Sequence, residues 1–158
     1  MNPRDFLDTA KCLLETDTPA NYRSIFNRSY YAAYNVGVNL LEDAGIAIKK
    51  NASGHGEVNN YLGNCGITEI KKAQSKLSSL ASQRIKADYR LGEKAVEKHA
   101  NAEKALLTAE SIVEALSQFD SNDGKEKIRD AVNAYNEKIK SASNPQVKTP
   151  KLYSPQPL

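Results

Sequence analysis

Residues 80–92 read LASQRIKADYRLG. Counted as a helix, this stretch puts Arg84 and Asp88 on one stripe with Leu77, Leu80 and Ala81, because residues at such spacings share a helical face. Arg84 follows Leu77 by seven residues and Asp88 follows Ala81 by seven. A cation and an anion therefore continue a seam that should be dry. An exposed pair at spacing four is worth only ~0.3–0.5 kcal/mol. Desolvating such a pair is costly unless its geometry is good. Two readings stay open: the seam opens into a polar cleft at this end, or the pair is a well-matched structural link.

Working outward, the stripe Ile70, Ala73, Leu77, Leu80/Ala81, Arg84, Asp88 predicts a helix over about 69–89, capped by Thr68 and broken at Gly92. The next helix should cover about 93–119, with Ala95, His99, Ala102, Leu106, Ala109, Val113 and Leu116 on its stripe. Upstream, Asn2-Pro3 and Thr18-Pro19 each pair a capping residue with a proline suited to the first helical position. The first begins a helix carrying Phe6, Ala10, Leu13 and Leu14. The second begins a long helix to about Ala44, with Gly45 as C-cap. IAIKKNASGHGEV reads as a loop leading into a short helix through Val58 and Leu62, which ends near Gly63 or Gly66. DSNDG reads as a turn, followed by an amphipathic helix with Ile128, Ala131/Val132, Tyr135 and Ile139. Residues 142–158 hold four of the six prolines and read as an extended or disordered tail. There is no strand-like alternation of useful length. The expected fold is an all-α, up-and-down bundle of about five to six helices over residues 1–141.

The bulk numbers agree with one globular domain: 158 residues, 40% hydrophobic and 26% charged. A net charge of +3 permits a nucleic-acid partner without demanding one. Cys12 and Cys65, with no CxxC, read as reduced and mostly buried thiols. The opening MNPRDFLDTA is unlike a signal peptide. No apolar run approaches the ~20 residues that span a bilayer, so a cytoplasmic protein with no membrane contact is expected. P-loop, GxGxxG, HExxH and GxSxG motifs are missing, and no ExxH pair accompanies the two histidines. No cofactor and no metal are expected.

The chemistry-bearing candidates lie in four places. In YRSIFNRSYYAAYN, residues 22–35, Arg28 and Tyr31 share a face and suit phosphate contact and base stacking. Tyr30 and Tyr34 share another face and read first as core residues with hydroxyls at the edge. Arg84 and Asp88 form the second place. His99 is the third. Two antiparallel helices joined near Gly92 would put Arg84 and His99 each ~10–12 Å from the turn, facing one another, as an Arg/His pair for phosphodiester chemistry requires. A lone histidine on a stripe is more often an ordinary core or helix-end residue, and His99 reads first as that. The fourth is His55 in SGHGEV, free between glycines beside a helix start that favours an anion, or else a simple capping loop.

Taken together, these segments resemble HEPN domains (higher eukaryotes and prokaryotes nucleotide-binding). The likeness rests on FLDTAKCLLE, then YRSIFNRSYYAAYNVGVNLL, then HGEV, then LSSLASQRIKADY, then an alanine-rich helix, and spans about residues 5–117. The resemblance implies a helical bundle that commonly dimerises. It implies a protein acting on or with RNA or nucleotides in a prokaryotic defence or toxin–antitoxin setting. Some members are metal-independent ribonucleases, and others partner small nucleotidyltransferases. The nuclease members carry an Arg, four to six residues, then a His. After Arg84 this chain continues IKADYRL, with no His. Arg84 and His99 are thus the candidate catalytic pair of a rearranged ribonuclease. Arg28, Tyr31, His55, Asp88 and Tyr89 are the candidate RNA- or nucleotide-binding residues. A nucleotidyltransferase or antitoxin is the implied partner protein, in a noncatalytic interaction module or otherwise, and a homodimer the implied assembly.

Overall fold

A computed structural model describes residues 1–143. The tail read over 142–158 lies outside the described residues, apart from its first two, which close the last helix. The described chain is an all-α bundle of six helices: α1 (Asp5–Leu14), α2 (Pro19–Asp43), α3 (Ala52–Asn64), α4 (Thr68–Tyr89), α5 (His99–Ser117) and α6 (Asn122–Ser143). A single 3₁₀ turn, Lys94–Glu97, stands between α4 and α5. No described helix is long and apolar enough to cross a membrane.

α2 is the axis of the bundle and touches every other helix. Its limits are set locally. Thr18 is extended and its Oγ1 accepts the Asn21 N–H at 3.2 Å, with Pro19 opening the helix. At the far end Gly45 adopts φ +84°, and the N–H groups of Gly45 and Ile46 reach back to the carbonyls of Glu42 and Leu41. That left-handed turn strains any residue with a Cβ. Ile25, Phe26 and Leu41 of α2 are buried with Ile70, Leu77 and Leu80 of α4, and with Ile112 and Leu116 of α5, in one core. The α4 stripe is buried as its spacing predicts as far as Leu80, and Ala87 returns to the core.

Four local expectations are corrected. SGHG is not a loop. Asn51 Oδ1 accepts the Ser53 N–H at 3.0 Å, and the segment winds into the first turn of α3. Gly54 is required there, because a Cβ would stand 2.1 Å from the Lys49 carbonyl oxygen. Likewise DSNDG is half helix: Ser121 Oγ caps the Gly124 N–H at 3.1 Å and α6 begins at Asn122. The helix expected over 93–119 is split, leaving α5 to begin at His99. Cys12 is exposed, and only Cys65 is buried.

The split has a physical cause. Arg23 reaches from α2 into the crossover and donates to the carbonyls of Ala87, Arg90, Leu91 and Glu93. It also pairs with the Glu97 carboxylate at 2.8 Å. Four carbonyls and a carboxylate converge on one guanidinium, which holds the chain folded around it between α4 and α5. The Glu97 carboxyl is held below its usual range, first by Arg23 and then by Lys94.

Candidate functional site

α2, α3 and α4 bring one polar–aromatic cluster together. α2 supplies Tyr30, Tyr31 and Tyr34 over one turn, α3 supplies His55 from its first turn, and α4 supplies Arg84 and Asp88. The guanidinium carbon of Arg84 lies 5.2 Å from the Tyr30 ring centre and 5.5 Å from that of Tyr31. Arg84 Nη1 donates to Asp88 Oδ2 at 3.3 Å, and Asn27 Nδ2 donates to the same oxygen at 3.1 Å. The Arg84 Nε is buried without a protein partner. The side chains of Arg84 and Asp88 are 15% and 23% exposed. The seam is thus neither sealed nor open, and ring faces replace much of the water that Arg84 gives up.

His55 also lies against Tyr30. The Tyr30 hydroxyl and His55 Nδ1 are 2.7 Å apart. The His55 ring stacks on Tyr34 with centres 4.2 Å apart and planes 27° apart. Burial, only partly opposed by the Arg84 charge, pushes the Tyr30 phenol up to about 12. Burial, and then the positive charge of Arg84, lowers His55 below the usual imidazole range. Near neutral pH the phenol is therefore protonated and the imidazole neutral. The two groups share a hydrogen bond, with the donor set by the imidazole tautomer.

The candidates fall into three groups. Tyr31, His55, Arg84 and Asp88 meet. Arg28 stands one step away, its guanidinium 5.5 Å from the Phe6 ring centre, and Phe6 in turn tilts against Tyr31 at 6.3 Å. Tyr89 is outside: it is 73% exposed at the end of α4, with Ile85 and Leu91 exposed beside it in sequence. His99 is not on the core stripe. It is exposed at the start of α5 and packs edge-on against Tyr22 at 5.6 Å. Tyr22 and Tyr30 are separated by eight residues of α2, ~12 Å along the axis. The Arg84/His99 pairing therefore does not form in this chain, and Val96 rather than Ala95 is buried before α5.

Sequence reading passed over Asn27, Phe6 and the joint role of Tyr30 and Tyr34. Asn27 precedes Tyr30 and Tyr31 by three and four residues, so helical spacing alone carried that signal. Phe6 carried none, because its partners come from another helix. Among the described residues no three His, Cys, Asp or Glu side chains converge as a metal-binding group.

The profile of one protein family, described as HEPN domain, matches residues 3–119, from the approach to α1 through the end of α5. No curated protein and no solved structure matches the chain.

Proposed function

The chain belongs to the HEPN domain family, and from that premise we propose that it binds RNA or a nucleotide through the Tyr30/Tyr31/Tyr34–His55–Arg84–Asp88 cluster. The observation that carries this reading is Arg84. It is held against two tyrosine rings and oriented by Asp88, with a buried Nε that no protein group satisfies. A preoriented guanidinium is a phosphate holder, and tyrosines beside it offer stacking surface. Arg28, across Phe6, adds a second cation on the same side of α2. The setting we assign is prokaryotic defence or a toxin–antitoxin pair.

A second reading, a protein partner, is favoured by Ile85, Tyr89 and Leu91, exposed around the end of α4. A second copy of the chain or a nucleotidyltransferase would cover them. The ribonuclease built on Arg84 and His99 gains no support from a histidine that stands against Tyr22.

Incubation with total RNA separates the readings. Retarded but intact RNA, with retardation weakened by salt and by Arg84→Gln, is the expected result. Cleavage abolished by both Arg84→Ala and His99→Ala would restore the nuclease. No RNA complex, with a dimer that Leu91→Asp dissociates, would favour the protein partner.

A further inference from the structure

A second concavity lies on another part of α4. Gln83 and Lys86 of α4, Asn101 and Lys104 of α5 and Glu93 of the crossover line a cavity of about 210 Å³, with Phe26 of α2 among its walls. That volume holds about seven waters at ~30 Å³ each. Arg23 fixes the crossover by its carbonyls, so this side of the cavity is built in advance of any ligand. Phe26 is almost wholly buried and offers an apolar wall.

The polar lining is rich in hydrogen-bond donors. Lys86 and Lys104, both exposed, line one small space without an ion-pair partner among the described residues. Asn101 Nδ2 donates to the Ala95 carbonyl at 2.8 Å, which fixes its amide and leaves its second N–H for another acceptor. Gln83 adds a further amide. The lining thus holds two cations and two amide donors against one carboxylate.

We propose that this cavity binds a phosphate monoester. Such a group carries about −1.5 to −2 charges and three acceptor oxygens near neutral pH, which matches two lysines and the amide N–H groups better than a carboxylate's two oxygens and single charge. The ester carbon side would rest on Phe26, and Glu93 would accept a ligand hydroxyl. Two sources present this chemistry, a small phosphorylated molecule and the 5′-phosphate end of an RNA. The proposal does not depend on the Arg84 cluster, which is built from other residues.

The test is an NMR titration of the isotopically labelled full chain, following the side-chain amides of Gln83 and Asn101. One arm uses glycerol 3-phosphate with glycerol as control. The other compares a short RNA bearing a 5′-phosphate with the same RNA bearing a 5′-hydroxyl. Saturable shifts with glycerol 3-phosphate but not glycerol identify a small phosphorylated ligand. Shifts that require the 5′-phosphate identify an RNA end. In either case Lys86→Gln and Lys104→Gln should each weaken binding about tenfold. No saturable shift in either arm, equal shifts without the phosphate, or full affinity in both lysine variants would overturn the proposal. RNA binding read with the 5′-hydroxyl oligomer reports the Arg84 cluster separately, so either proposal can fail alone.

Discussion

Arg84 shows how one side chain can carry charge into a nearly dry seam. Its stem lies among buried residues of α4, its head rests on two aromatic faces, and Asp88 takes one N–H. His55 is tied to the same group through charge, since Arg84 opposes a second cation next to Tyr30. Because the folded chain holds His55 below the unfolded value of about 6.5, the unfolded chain takes up a proton first as the pH falls. Stability should therefore be full above about pH 6.5 and decline on acidification through the lowered folded value. His55→Gln should flatten that decline in urea denaturation midpoints measured across pH. Tyr30→Phe keeps the ring and removes the hydroxyl hydrogen-bonded to Nδ1; it should cost about 1 kcal/mol, read by the same denaturation. At this scale the sequence was informative about Arg84 and Asp88, because seven-residue spacing placed both on the seam. It was silent about the Tyr30–His55 bond, which joins residues 25 positions apart from different helices.

Among the elements, α2 and α4 were legible almost to the residue. Their apolar stripes are long, Thr18-Pro19 and Gly45 punctuate one, and Gly92 follows the other. The α3 start and the α4–α5 crossover were not, for two different reasons. SGHG carries loop composition, yet Asn51 caps it and Gly54 allows it to pass against the Lys49 carbonyl. Gly54→Ala should therefore destabilise the chain by ~2 kcal/mol, since backbone stands where the methyl would go. The crossover is shaped by Arg23, whose partners are main-chain carbonyls that no residue pattern announces. Arg23→Ala should cost ~3 kcal/mol by leaving these carbonyls and Glu97 without their partner. Arg23→Lys should recover little of it, because an ammonium lacks the planar fork. Both substitutions are checked by the shift in urea midpoint at constant slope.

At the scale of the whole molecule, the all-α bundle and its family were readable because many weak signals agreed in order and spacing, and the match over residues 3–119 covers the segments that carried them. The pairing of sites across helices was less readable. His99 was placed opposite Arg84 by assuming one continuous helix after Gly92, and the 3₁₀ turn at Lys94–Glu97 removes that geometry. The modest net charge of +3 sets an expectation for the proposed RNA complex. With Arg28 and Arg84 as the cations at the cluster, about two phosphates would be neutralised. For single strands this gives a slope of log affinity against log salt of about −1 to −2. The most direct test of the central claim is the fluorescence anisotropy of a labelled single-stranded RNA with wild type and Arg84→Gln over a salt series, with melting temperatures measured alongside. Saturable wild-type binding with a slope of about −1 to −2, weakened about tenfold in a folded Arg84→Gln, is the expected result; no saturable binding, or equal binding by a folded Arg84→Gln, would contradict it.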